Sequence, residues 1–275
     1  LYYRTLGEGP LLVCCNGVGV STFFWKYLAD HFAPTHRVVL WDYRGHGRSA
    51  LPSDPDHADL TVERNAADLA TVLREVGPDE APVLLGHSMG CQVILEHACR
   101  GGAARALIPM FGTYGRPLDT FFDWQGSRPT FGLVRRLARL SGRSGQRLVR
   151  PLFANPLAFS VARRVGLVNR FAASRQDMEM YLDHLNQMDQ RVFLRMVELM
   201  ADHDLEQDLP RLQVPTLVVA GEHDLFTPLH RSRRMAELIP GAEIEVLRQG
   251  SHAAIIEQPH TINRRVERFL RERVP

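Results

Sequence analysis

No stretch of 18 apolar residues occurs in this sequence, so a membrane-spanning helix is not expected. A charged n-region followed by an apolar h-region is also missing, so no secretory signal is visible. The chain opens at Leu1 rather than methionine, which leaves room for a segment upstream. Cysteine is scarce, with four in 275 residues, and neither CxxC nor a Cys/His metal spacing occurs. Cys14 and Cys15 are adjacent in an apolar run, where a strand sends neighbouring side chains to opposite faces, and Cys91 and Cys99 share one helical pattern. The expectation is no metal site and four reduced, mostly buried thiols, which favours a cytoplasmic location. Excess charge of one sign is lacking too: 33 Lys and Arg stand against 31 Asp and Glu, a net +2 that implies no nucleic-acid partner.

What is present suits a buried core. Apolar residues make up 45% of the chain and charged residues 23%, and the length fits one α/β domain carrying an insertion. Short apolar runs at Leu11–Cys15, Arg37–Trp41, Pro82–Leu85, Arg105–Met110, Pro215–Ala220 and Glu243–Leu247 mostly lack strict alternation. That is the pattern of parallel strands covered on both faces. Helical patterns lie between them. Thr61–Val76 sets Val62, Ala66, Leu69, Leu73 and Val76 on one face, with Thr61 as N-cap and Gly77-Pro78 as terminator; Pro259 opens another stripe of Ile262, Val266, Phe269 and Leu270. The alternation predicts a doubly wound, mostly parallel α/β sheet.

From about Gly115 to Leu209 the alternation stops, and helices are expected around Leu133–Leu140, Leu157–Val168 and Gln176–Met200. The pattern divides the chain into a core of residues 1–114 and 210–275 and a helical cap of residues 115–209. Residues 116–175 hold 12 arginines and 2 acids, a solvated basic face or an attraction for anionic substrates and membrane surfaces.

The run Val83-Leu84-Leu85 ends in Gly-His-Ser-Met-Gly, and a helical pattern follows at once. A serine hydroxyl needs a base to take its proton and donors to hold the oxyanion it creates. A sharp strand-to-helix turn lifts the hydroxyl above the sheet and aims the next N–H at the same space. Gly86 and Gly90 supply the small flanks around Ser88. The pentapeptide alone appears by chance in about one chain in ten of this length, so its placement carries the weight. An acid and a histidine should follow, in that order. Asp224 lies just past "TLVVAG" and His252 just past "AEIEVLR", each after a strand's carboxyl end. Asp119 and Asp123 are the alternative acids. His87 should point away from the Ser88 hydroxyl, His223 merely neighbours the acid, and His46 is expected to fix a loop. The loop "NGVGVS" after Leu11–Cys15 offers the Val18 N–H as oxyanion donor beside the Met89 N–H.

These pieces resemble the α/β-hydrolase superfamily: "NGVG", "DYRGHGRS" at 42–49, "GHSMG" at 86–90, "GEHDLFTP" at 221–228 and "GSHAAIIEQP" at 250–259. They cover roughly two-thirds of the chain. The resemblance implies a mostly parallel sheet under a helical cap, with Ser88 as nucleophile, Asp224 as acid and His252 as base. It also implies a strand or two before Leu11, of which "LYYRT" looks like part. Many members have His-Gly where this chain has Asn16-Gly17; a loop of this kind also resembles some enol-lactone hydrolases. Members that open epoxides or remove halides carry aspartate where this chain has Ser88.

The expected function is hydrolysis of a small carboxylic ester, or a lactone, through an acyl-enzyme, with no cofactor and no metal. Carbon–carbon bond hydrolysis, acyl transfer and peracid formation use the same triad and stay open, as does a non-catalytic binding protein on this fold. Oligomeric state is left open. Five of the eight methionines fall between Met178 and Met200. Met178 and Met188, with Phe121, Phe122 and Trp124, are candidates to line an apolar substrate pocket or simply to pack the cap.

Overall fold

Consecutive residues of each central strand feed two different cores. Leu11, Val13 and Cys15 belong to one apolar cluster, whereas Leu12 and Cys14 belong to the other. A strand alternates its side chains, so this division means that both faces of the sheet are covered. The structure is a computed structural model and describes residues 1–77, 80–124, 126–133, 136 and 174–274. The helix expected around Leu157–Val168, most of that around Leu133–Leu140 and most of the arginine-rich stretch lie outside the described residues.

Among the described residues seven strands form the sheet: β1 (Tyr2–Leu6), β2 (Leu11–Cys15), β3 (Arg37–Asp42), β4 (Val83–His87), β5 (Ala106–Met110), β6 (Leu217–Gly221) and β7 (Glu243–Leu247). Their order is β1-β3-β2-β4-β5-β6-β7. Only β1 runs antiparallel, pairing Tyr2 with Asp42 and Leu6 with Val38. The remaining pairs are parallel. "LYYRT" thus supplies the edge strand, and its mostly exposed residues explain its faint hydrophobic signal.

One face carries α2 (Val62–Val76) and α3 (Met89–Cys99); the other carries α1 (Lys26–Phe32) and the C-terminal helix Pro259–Arg273. Of the expected stripe on α2, Val62, Ala66 and Leu69 are buried on the first core and Leu73 and Val76 are partly buried against it, while Val72, outside that stripe, is buried as well. The Thr61 side chain caps α2 by accepting from the Arg64 N–H at 3.1 Å, an interaction that stabilises by about 1 kcal/mol. All four cysteines are free thiols, and only Cys99 is not fully buried.

Between β5 and β6 the chain leaves and returns side by side. Gly115 bridges Asp204 in antiparallel fashion, and Arg116 N–H donates to the His203 carbonyl at 2.9 Å. The expected single helix Gln176–Met200 is two helices, α4 (Arg175–Gln187) and α5 (Gln190–Met200). The break has a local cause. Asp189 takes extended backbone and its carboxylate accepts from the Arg191 N–H at 2.8 Å, starting a new helix. These helices cover the core with Val192, Met196, Val197 and Met200. Asp177 of α4 is also tied to Lys26 and, at 2.9 Å, to the Tyr27 hydroxyl of α1. Among the described residues no helix is long and apolar enough to cross a membrane.

Candidate active site

The carboxyl ends of β4, β6 and β7 lie on one edge of the sheet, because the three strands are parallel. Ser88 follows β4, Asp224 follows β6 and His252 follows β7. Ser88 sits at φ 55°, ψ −118°, a conformation that side-chain-bearing residues rarely adopt and that costs about 1–3 kcal/mol. Neighbouring bonds hold it there. Ser88 N–H donates to the Met110 carbonyl at 3.1 Å, and the Cys91 thiol donates to the Gly86 carbonyl at 3.2 Å. The flanking glycines are required by space. A Cβ on Gly86 would lie 2.3 Å from the Gly90 carbonyl oxygen, and one on Gly90 would lie 2.2 Å from the Cys15 carbonyl oxygen.

His252 Nε2 lies 3.0 Å from Ser88 Oγ. On the other side of the ring, His252 Nδ1 is 2.9 Å from Asp224 Oδ2 and 3.1 Å from Oδ1. A carboxylate accepts, so Nδ1 carries the proton and Nε2 is left free to accept from the serine hydroxyl. Asp224 also accepts from the N–H groups of Phe226 and Thr227, both at 2.9 Å, and from the Thr227 hydroxyl at 2.7 Å. Its side chain is fully buried while that of His252 keeps 18% exposure, so the imidazole alone of the two meets solvent. Burial by itself pushes the Asp224 carboxyl up, but His252 and the Thr227 donors outweigh it and hold the group below its ordinary value.

The other carboxylates have different partners. Asp119 pairs with Arg116 at 2.7 Å and Arg128 at 3.0 Å, and Asp123 faces His230 at 3.6 Å. His223 is exposed. His46 does fix a loop, accepting from the Gly19 N–H at 3.2 Å. His87 turns to the backbone of His252, with Nε2 2.9 Å from the His252 carbonyl oxygen.

The glycine loop is seated by Asn16, which is fully buried. Its amide donates to the Trp41 carbonyl at 2.7 Å and accepts from the Trp25 indole N–H at 2.8 Å. Asparagine therefore anchors the loop internally. A Cβ on Gly17 would lie 2.9 Å from the Ser88 Cβ, so the loop backbone runs directly over the strand-to-helix turn at Ser88, the elbow. Val18 is half-buried in that loop, and Met89 is the first residue of α3, where the N–H has no helical carbonyl to meet.

Of the apolar candidates, Met178 and Met188 are buried, one in each core, and pack rather than lie open. Phe122 and Trp124 are exposed, and Phe121 is half-buried. Phe226, which the sequence did not single out, has its ring 5.0 Å from that of His252. His184 was also missed; it projects from α4 toward Phe23 and His46, with ring separations of 5.7 and 6.4 Å.

Comparison with known proteins agrees with the fold. The model of the "Alpha/beta hydrolase family" matches residues 12–265. The RutD protein of Pseudomonas savastanoi pv. phaseolicola, named for carbamate hydrolysis, is 28% identical over 263 residues, covering 96% of this chain and 94% of its own. The 3-oxoadipate enol-lactonase 2 of Acinetobacter baylyi is 25% identical over 278 residues, covering 98% and 93%. Among solved structures, an esterase from Exiguobacterium antarcticum superposes with a TM-score of 0.79 at 18% identity, covering 98% of this chain and 95% of that one. A family match across nearly the whole core, on a sheet of the same architecture, makes this chain a member of the alpha/beta hydrolase family.

Proposed function

We propose that this protein is a serine hydrolase that cleaves a carboxylic ester through an acyl-enzyme. One observation carries the proposal: the unbroken hydrogen-bonded series from Ser88 Oγ through His252 to a fully buried Asp224. In the first half-reaction, His252 Nε2 takes the Ser88 proton as Oγ attacks the ester carbonyl. Asp224 keeps the imidazole in the required tautomer and stabilises its charged form. The Met89 N–H receives the oxyanion, favoured by its place at the start of a helix. The Val18 N–H is the second donor, supported by the close seating of the Gly17 backbone on the elbow. His252 then protonates the departing alcohol. In the second half-reaction it activates water, which releases the acid and restores Ser88.

A cyclic ester is the second reading. It draws on the relative named as an enol-lactonase, which matches this chain almost end to end. Both readings need the same nucleophile, base and oxyanion donors, and they differ only in whether the leaving alcohol stays tethered to the acyl group. A turnover panel separates them: acyl esters of graded length, lactones, carbamates and vinylogous diketones. Ester turnover that disappears in Ser88→Ala is the expected result. Turnover confined to the diketones or the carbamates counts against the ester assignment.

A further inference from the structure

The departing alcohol must lie against His252, because that imidazole hands it the proton. What stands beside His252 on its exposed side therefore shapes the leaving group. Phe226 stands there, and two further phenylalanines pack on it. The Phe226 ring centroid is 5.0 Å from the His252 ring, tilted at 48°. Phe122 lies 5.4 Å and Phe121 5.6 Å from Phe226, the latter edge-on. Phe226 and Phe121 are half-buried and Phe122 is 47% exposed.

The backbone under this group is under strain. Phe122 is at φ 59° and Asp123 at φ 48°, a region a bulky aromatic residue occupies at a cost of about 1–3 kcal/mol. The strained turn is pinned to the acid loop, with Phe122 N–H donating to the Leu225 carbonyl at 2.6 Å. Packing does not account for the arrangement, since it leaves a large apolar side chain nearly half open to solvent. An open ring packed on Phe226, which itself lies against His252, and held there by a strained turn is a contact surface for something apolar.

We infer that Phe226, Phe122 and Phe121 form the leaving-group subsite, and that the substrate class is an ester of an aryl or other bulky apolar alcohol. The inference rests on the serine hydrolase reading. In the step it concerns, the Ser88 Oγ–acyl carbon bond forms and the acyl carbon–alcohol oxygen bond breaks. The proton taken from Ser88 passes through His252 to the alkoxide, which leaves as a neutral alcohol along the three rings. Aromatic stacking and apolar burial favour that departing group. The acyl portion lies on the other side of the carbonyl carbon from the departing oxygen, so its preference is set elsewhere.

Two ester series test this. One keeps a butyryl group and varies the alcohol from methyl to phenyl to 2-naphthyl; the other keeps the phenyl leaving group and varies the acyl chain. Wild-type protein should prefer the naphthyl over the methyl ester in kcat/KM after correction for leaving-group acidity, using aryl and fluoroalkyl alcohols of matched pKa. Phe122→Ala and Phe226→Leu should each lower that preference by about 10-fold, the worth of one well-buried apolar group, while the order of acyl preference stays as in wild type. Fluorophosphonate titration of Ser88 in each protein keeps the two readings apart. If wild-type Ser88 is not titrated, the serine hydrolase reading fails. If it is titrated and the variants shift acyl preference instead, or shift neither preference, the leaving-group subsite is wrong.

Discussion

His87 and His252 are joined side chain to backbone: the Nε2 of one lies 2.9 Å from the carbonyl oxygen of the other. The residue before the nucleophile thus holds the loop that carries the proposed base. A carbonyl accepts, so Nε2 of His87 bears the proton, and the neutral ring suits its buried site between Phe24 and Phe111. Replacing His87 with Leu leaves that carbonyl without its donor. The expected loss is about 1–3 kcal/mol of stability, read from the denaturant midpoint, together with a fall in kcat that His87→Gln recovers in part.

Buried His46 and His87, with half-buried His184, should make the protein sensitive to acid. Burial lowers His46 to about 4, His184 to about 4, and His87, with the nearby charge of His252 adding to it, to about 3. All start from an ordinary value of 6.5. Below 6.5 the unfolded chain binds protons that the folded chain refuses, so stability is complete above that pH and declines as pH falls toward 4. Each group costs on the order of 2 kcal/mol at pH 5. The expected result is a Tm lower by on the order of 10 °C at pH 5 than at pH 7.5, with a shallower slope in His46→Gln. A flat profile would show that the rings are charged or exposed.

Much of this architecture was readable from the sequence because the central strands are buried on both faces. Leu11–Cys15, buried along its whole length, matches its expected bounds to the residue; the edge strand Glu243–Leu247 does too, although only Leu247 of it is buried, and Ser88, Asp224 and His252 each follow a parallel strand. What was unreadable depends on contacts between distant segments. The pairing of Lys26 with Asp177 and of Glu96 with His203 spans more than 100 residues and leaves no local pattern. Phe226 reaches His252 only because the Asp224 turn folds back on itself, through the bonds from Phe226 and Thr227 N–H to Asp224. The two helices at 175–200 share one apolar spacing that continues across the break, and only the Asp189 cap separates them.

Gly90 is the most crowded position of the elbow. Gly90→Ala places a methyl group where the Cys15 carbonyl oxygen stands, 2.2 Å away. Backbone cannot yield as a side chain does, so the expected cost is about 1–3 kcal/mol or more. Thermal melting measures the loss, and the elbow should lose its nucleophile geometry with it. A variant with wild-type Tm and activity would mean that α3 and β2 are further apart than described.

The Asn16 amide bridges Trp41 and Trp25 beneath the glycine loop. Asn16→Ala removes a donor and an acceptor at once and leaves two buried groups unpaired, for an expected cost of about 2–4 kcal/mol. If the loop backbone supplies an oxyanion donor, kcat should fall with KM little changed. A rise in KM alone would assign the loop to substrate binding only.

The acid is tested by Asp224→Asn. The amide keeps the size of the side chain but presents a donor as well as an acceptor to His252 Nδ1, favouring the wrong tautomer. A folded protein with kcat reduced by up to about 10⁴-fold is expected. Loss in Asp119→Asn, with Asp224→Asn unaffected, would move the acid to the segment after β5.

The central claim is that Ser88 is the nucleophile, and covalent trapping tests it most directly. After treatment with a fluorophosphonate, intact-mass and peptide mass spectrometry should find one adduct, on Ser88, formed in step with loss of ester turnover. Ser88→Ala should form no adduct and lose roughly 10⁶-fold in kcat while melting as the parent does. An adduct on another residue, or full ester turnover by folded Ser88→Ala protein, would contradict the account.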